Sequence, residues 1–282
     1  MECYAPAISS RAVHHATLPD AGGEPIAVLR RAFELLGVLS AGPGDCLSLA
    51  EIARRSALPK TTALRLLTSL VQLDAVERIG AGYQLGGRLF EFGERVPQRR
   101  YLREAALPFM GDLYEVTHET VHLAVLEGTD VLYVERILGH RTQPRPPSRV
   151  GGHLPAYCTG VGKALLAFTP EATKLLIAES PLVARTRYTI VDPNLLLAEL
   201  RMIRESGIAH DKEESMLGIH CVAAPILLDG TAVAALSVSG STDRIALDRV
   251  ESAVKTAALG LRRQLTLTRR FISRNEELAS LD

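Results

Sequence analysis

Thr159-Gly160-Val161-Gly162 runs directly into the helical stretch Lys163-Ala164-Leu165-Leu166. Small residues at that point expose backbone N–H groups where a helix dipole favours an anion, so a carboxylate has a place to dock. The alternative is a glycine turn required only for close packing of helix on sheet. A nucleotide site does not fit, because the spacing G-x-x-x-x-G-K-[ST] fails at Tyr157 and at Ala164. Two thiols have histidines nearby in sequence, Cys158 with His153 and Cys221 with His220 and His210. A cytosolic enzyme built on such a Cys/His site, as thiol nucleophile or metal ligand set, is therefore the competing reading. No G-x-S-x-G elbow supports it. No catalytic residue, metal or cofactor is expected.

A different chemistry is suggested between residues 48 and 88. Ser48 is a helix N-cap with Glu51 three residues on, a capping-box pattern, and Leu49, Ile52 and Ala53 turn inward. The turn Ser56-Ala57-Leu58-Pro59 leads to a helix from about Lys60 to Leu73, in which Leu64, Leu67, Leu70 and Val71 form the expected buried stripe. Lys60, Thr61, Thr62, Arg65, Ser69 and Gln72 fall outside that stripe. Short side chains and hydroxyls bring a backbone close to DNA while an arginine reaches a guanine edge or a phosphate. Val76–Ile79 and Tyr83–Leu85 around Gly80-Ala81-Gly82 read as a two-stranded wing. Residues 52–88 hold Arg54, Arg55, Lys60, Arg65, Arg78 and Arg88 against Asp74 and Glu77, a local surplus of four basic groups. Phosphate contacts need such a surplus. A small helical subdomain that never touches DNA is the bland alternative.

These segments sit in a chain of 282 residues, long enough for two domains. Apolar residues make up 47% and charged residues 23%, which excludes disordered and fibrous classes. With 32 basic and 32 acidic residues, the whole-chain charge gives no sign of a nucleic-acid or membrane partner and hides the local excess. Cys3, Cys46, Cys158 and Cys221 form no C-x-x-C pair, as expected of reduced thiols in the cytoplasm. No run of about 18 apolar residues is present, so no membrane partner is expected. Residues 1–24 lack periodicity and read as a mobile arm. Ile26, Leu29, Phe33, Leu36 and Leu39 mark a first amphipathic helix ended by Gly42-Pro43-Gly44.

Beyond a helical linker at 88–118, two hairpins are expected. One joins Thr120–Leu126 to Val131–Ile137; the other joins Cys221–Leu228 to Thr231–Ser239 around Asp229-Gly230. Helical segments lie near 160–168, 170–179 and 193–206, the last with Asp192 as N-cap and Pro193 at the first helical position. A final helix runs from Arg244 to Thr268. Strands in hairpins with helices to one side give an α+β architecture. The domains are then a winged helix-turn-helix at 25–87, the linker, a second domain at 119–275 and a tail at 276–282.

Several ordered motifs resemble the IclR family of bacterial regulators. They are Leu47 to Thr62 (LSLAEIARRSALPKTT), Thr120 to Leu126 (TVHLAVL), Gly160 to Ala167 (GVGKALLA), Gly218 to Pro225 (GIHCVAAP) and Ala235 to Gly240 (ALSVSG). The resemblance spans about residues 25–270. It implies a DNA-binding transcriptional regulator, read here as the repressor of a catabolic operon, with a GAF-like C-terminal effector domain. It also implies a homodimer or homotetramer, double-stranded operator DNA as partner, and a small carboxylic acid as effector. The DNA-contacting set is expected to be Arg55, Lys60, Thr61, Thr62, Arg65, Ser69, Arg78 and Tyr83. Carried over from the family's pocket, the effector contacts are Gly160, Val161, Asp211, Cys221, Ser237 and Ser239. Ser237 and Ser239 are two apart on one strand and face one side together. Asp211 does not attract a carboxylate, so its expected partner is a hydroxyl or carbonyl hydrate of the ligand. Tyr157, where the family often has histidine, and Val161, where alanine is usual, bear on ligand identity. The loop Gln143 to Arg149 is either solvated or laid over the pocket mouth.

Overall fold

The computed structural model describes residues 24–41, 46–140, 146–243 and 247–279. The expected arm falls outside them except for Glu24, as do the stop signal Gly42-Pro43-Gly44, residues 143–145 of the Pro/Arg-rich loop, and the tail beyond Ala279. The chain forms two compact units, Met1–Pro97 and Gln98–Asp282.

In the first unit, α1 (Glu24–Ser40), α2 (Leu49–Ser56) and α3 (Lys60–Gln72) surround a core of Leu35, Ile52, Ala63, Leu66, Leu67 and Val76. Two stripes differ from expectation. Leu29 and Phe33 of α1 are 62% and 68% exposed and Leu64 of α3 also faces out, while Leu35, Ala63 and Leu66 are buried instead. Apolar positions outnumber what one small core covers, so packing selects among neighbouring stripes. Ser48 caps α2 by accepting from the Glu51 N–H at 3.2 Å. The Glu51 carboxylate turns to Arg54 and Arg55 instead of completing the box. Ala57 takes the left-handed conformation (φ 54°) at the end of α2, and Pro59 precedes α3. The wing strands β2 (Val76–Ile79) and β3 (Gly82–Leu85) pair antiparallel. A short β1 (Leu47–Ser48) adds to β3, a strand too brief to show a period. The helix α4 (Gly87–Glu94) follows.

The second unit begins with α5 (Pro97–Thr117), which covers most of the segment expected as a linker and buries Ala105, Ala106, Met110 and Leu113. Six antiparallel strands form one sheet in the order β6-β5-β4-β9-β8-β7. The central strands are β4 (Thr120–Glu127), β5 (Asp130–Ile137), β8 (Ile219–Leu228) and β9 (Thr231–Ser241). Asp229 and Gly230 both have positive φ, as the tight turn between β8 and β9 requires. The edge strands β6 (His153–Pro155) and β7 (Ala209–Lys212) were not expected. Helices pack on both faces rather than one. Val121, Leu123, Val222, Leu236 and Val238 point to α5 and to α9 (Leu247–Ala279). The alternate residues Ala124, Tyr133, Ala223 and Ala235 point to α6 (Gly160–Leu166), α7 (Pro170–Ala178) and α8 (Pro193–Ser206). Small residues on that second face leave room for α6 to approach. Asp192 caps α8 through the Asn194 N–H at 2.7 Å, and Gly207 (φ 70°) ends it.

Candidate functional site

The strand register brings the expected effector residues together. Asp211 on β7 pairs with Cys221 on β8, Cys221 with Ser239 on β9, and Ser239 with Thr120 on β4. One step along, His122 on β4 is opposite Ser237. Asp211, Cys221, Ser237, Ser239 and His122 line a cavity with Gly160 and Val161 at the start of α6. Its volume, about 20 Å3, is that of a single water site. A ligand larger than water enters only if the wall moves. That wall includes Pro146, Pro147 and Ser148, the described end of the Pro/Arg-rich loop, which therefore lies over the cavity. His122 Nε2 and Ser148 Oγ are 2.6 Å apart, and Arg136 donates to the Ser148 carbonyl.

The glycines at α6 have separable reasons. A Cβ on Gly162 would stand 2.2 Å from the Ala156 carbonyl oxygen and 2.4 Å from its Cα, so close backbone approach demands glycine there. On Gly160 it would stand 2.9 Å from Cys221 Sγ, inside the cavity wall. Thr159 caps the helix by accepting from the Gly162 N–H at 3.2 Å. The N–H groups of Gly160 and Val161 lie in the first turn, where no intrahelical acceptor exists.

Asp211 is more occupied than the sequence implied. Its Oδ1 accepts from the N–H groups of Glu214 (2.7 Å) and Ser215 (3.2 Å), and its Oδ2 from Ser215 Oγ (2.5 Å). It thus knots the turn after β7 as well as facing the cavity. Burial pushes its carboxyl up to about 6, against the bonds from Ser215. An ionised Asp211 repels an anion in the same cavity and a protonated one does not. Affinity for a fully ionised carboxylate ligand is therefore expected to rise about tenfold as pH falls from 7.5 to 5.5, flattening below 5. In Asp211→Asn the profile should be level across this range. Titration calorimetry at several pH values checks it, and a wild-type affinity independent of pH sinks it.

Sequence reasoning missed His122, Tyr133 and Ser215 in this cavity. A histidine within the alternating run of β4 was the available signal. Burial, then Arg136, pushes the His122 ring down to about 3, so it is neutral and touches two hydroxyls, Ser148 and Ser237. The Cys/His alternative has no activated thiol. Burial pushes Cys158 up strongly and Cys221 up to about 11, with bonds from Ser239 and Ser237 only partly opposing it in the second case. Both are protonated at neutral pH, and a thiol is a poor nucleophile. His153 and His210 instead face Glu127 and Glu251. No group of three metal ligands occurs among the described residues.

In the first unit, Lys60, Thr61, Arg65, Ser69 and Arg78 are exposed and Thr62 half-buried. Lys60, Arg65 and Arg78 make no ion pair among the described residues, whereas Arg54 and Arg55 are held by Glu51 and Arg88 donates to the Leu73 carbonyl. Ser69 Oγ is turned onto the Arg65 carbonyl. Tyr83 departs from expectation: at 6% exposure its ring belongs to the core, because its position in β3 faces α1–α3 rather than solvent. No helix among the described residues is long and apolar enough to cross a membrane.

Two family descriptions match the chain: the IclR helix-turn-helix domain over residues 28–80 and the bacterial transcriptional regulator IclR C-terminal domain over residues 95–263. The chain is 36% identical to the HTH-type transcriptional regulator BhcR of Paracoccus denitrificans over 253 residues, 88% of each chain. It is 33% identical to the transcriptional repressor IclR of Escherichia coli K12 over 252 residues, 87% of this chain and 90% of the relative. A crystal structure of an IclR homologue from Microbacterium hydrocarbonoxydans complexed with 4-hydroxybenzoate superposes with a TM-score of 0.78 at 29% identity, covering 85% of this chain and 99% of that one. With both domains matched in order and relatives above 30% identity along most of its length, the chain belongs to the IclR family of DNA-binding transcriptional regulators.

Proposed function

We propose that this protein is a homo-oligomeric cytoplasmic repressor of a catabolic operon, and that its hold on double-stranded operator DNA changes when a small carboxylic acid occupies the cavity between α6 and the sheet. The observation that carries this reading is the enclosed polar cavity itself: Asp211, Ser237, Ser239, His122 and the first turn of α6 converge in an otherwise apolar layer. A fold needing only stability fills such a layer with aliphatic groups. In the proposed roles, Gly160 and Val161 N–H groups receive the carboxylate, and Ser237 and Ser239 its remaining oxygens. Lys60, Thr61, Thr62, Arg65 and Arg78 meet DNA. The 4-hydroxybenzoate bound by the Microbacterium homologue supports an acid that also carries a hydroxyl.

Genomic fragments retained by the purified protein, challenged with a panel of organic acids, test the reading. One acid should shift operator affinity about 5–150-fold, the range of ordinary allosteric coupling. Its methyl ester should bind far more weakly, having lost the charge that the helix start recognises. Equal release by acid and ester would sink the proposed docking mode.

A single small winged helix holds DNA weakly, so a dimer is expected as the minimum unit, reading half-sites one or more helical turns apart. Light scattering with footprinting checks this. A monomer that protects its operator tightly contradicts it.

A further inference from the structure

Strand β5 changes face in mid-course. Leu123 of β4 is opposite Glu135 and Ala124 is opposite Tyr133, so Val134 has no partner on β4 and forms a bulge. Residues directly opposite on neighbouring strands share a face of the sheet. Tyr133 therefore lies with Ala124 on the face of α6, whereas Glu135 lies with Leu123 on the face of α5 and α9. Arg136 returns to the cavity face, opposite His122. In an unbroken strand Tyr133 and Glu135 would share one face. The bulge thus delivers a carboxylate to α5 and, at the next residue, a guanidinium to the cavity side.

Both groups are committed. Glu135, its side chain 12% exposed, accepts from Arg103 Nε of α5 at 2.5 Å on Oε2 and from the Arg136 N–H at 2.9 Å on Oε1. The Arg136 guanidinium donates to the carbonyl of Ser148, in the cavity cover Pro146–Ser148. Ser148 Oγ is 2.6 Å from His122 Nε2, and His122 Nδ1 is 3.4 Å from Ser237 Oγ. A continuous series of polar contacts so runs from a cavity hydroxyl, through the cover and the bulge, to a helix on the opposite face. Two backbone bonds hold the chain after the cover beside the bulge: the Gly151 N–H donates to the Tyr133 carbonyl at 2.8 Å and the Tyr133 N–H to the Gly152 carbonyl at 3.1 Å. A second tether of α5 lies outside this series. Arg99, one turn before Arg103, donates to Glu127 Oε1 at 2.8 Å, and the other oxygen of Glu127 faces His153. All three of those side chains are at least 35% exposed, so water screens that route.

We propose that Glu135 and Arg136 couple the cover of the cavity to α5, the helix that begins where the first unit ends. Displacing Pro146–Ser148, as any ligand larger than water requires, takes the Ser148 carbonyl away from Arg136 and loosens the grip of Glu135 on Arg103. The regulatory consequence rests on the acid reading of the cavity; the coupling is a property of the chain without ligand.

Hydrogen exchange of the full chain, followed by mass spectrometry with no acid added, tests the coupling and leaves the acid reading to its own experiment. Arg103 is 41% exposed, so Arg103→Met keeps the fold. Exchange at residues 148–152 should rise about fivefold in this variant, an ordinary size for coupling through such a network. Arg99→Met should change it by less than about twofold, as for an independent site. Arg136→Met acts from the cavity side and, by reciprocity, should speed exchange at residues 101–104 of α5 by about the same factor. The central strand segment 222–224 should exchange as in wild type in all three variants, which separates coupling from a general loss of stability. Unchanged exchange at 148–152 in Arg103→Met, an equal rise there in Arg99→Met, a rise at 222–224 as large as that at the cover, or unchanged α5 exchange in Arg136→Met each overturns the proposal.

Discussion

Replacing Lys163 by methionine is expected to destabilise the second unit by about 3–5 kcal/mol, the cost of breaking a buried ion pair from one side. The side chain is fully buried, 0% exposed, yet carries an ammonium. Its Nζ meets Glu214 Oε1 at 2.5 Å and Glu199 Oε1 at 3.4 Å. Glu214 is itself buried, and burial pushes its carboxyl up against the pull of Lys163. Methionine fills similar volume, so no large cavity is made and the loss is electrostatic. For a domain of this size the melting temperature should fall by roughly 10 °C. Adding Glu214→Gln should restore part of the loss, because the stranded charge is then gone. Thermal unfolding of wild type, both single variants and the double variant gives the coupling energy. A Lys163→Met protein within about 1 kcal/mol of wild type would falsify the pair's structural role.

Arg65→Ala is expected to lose about 1–3 kcal/mol of operator affinity, a 5- to 150-fold change, with folding untouched. Arg65 is exposed on the outer face of α3, one helical turn beyond Thr61 and Thr62, and has no ion-pair partner among the described residues. Nothing in the fold uses its charge. An arginine that reads a base affects specific sites selectively, so binding to random DNA should change less. Lys60→Ala should behave otherwise: weaker binding to every sequence and a salt dependence shallower by about one ion, as for a phosphate contact. Gel-shift titrations at two salt concentrations on both variants separate the roles. An operator affinity unchanged in folded Arg65→Ala would show that this face does not read DNA.

Local chemistry made much of the molecule legible from its residues alone. Turn residues set both hairpins, since Asp229-Gly230 tolerates two positive φ angles in succession. Ser48, Asp192 and Pro193 placed helix starts, because capping depends on neighbours within three residues. The alternation of β9 put Ser237 and Ser239 on one face, and the register then brought Cys221 and Asp211 alongside.

What lay beyond the sequence were the choices made by partners distant along the chain. Which stripe of α1 and α3 is buried depends on the shape of the core they meet, so Leu29, Phe33 and Leu64 remained outside and Tyr83 went in. The edge strands β1, β6 and β7 hold two to four residues, too few for a period to declare itself. Lys163 reads as a polar residue on a short helix until carboxylates 36 and 51 residues onward close over it. The cavity arises in the same way, with its floor from all six strands, one wall from α6 and its cover from Pro146–Ser148. Periodicity and caps report the direction of each segment, whereas burial and electrostatics belong to pairs of segments. Only the folded chain determines which pairs meet.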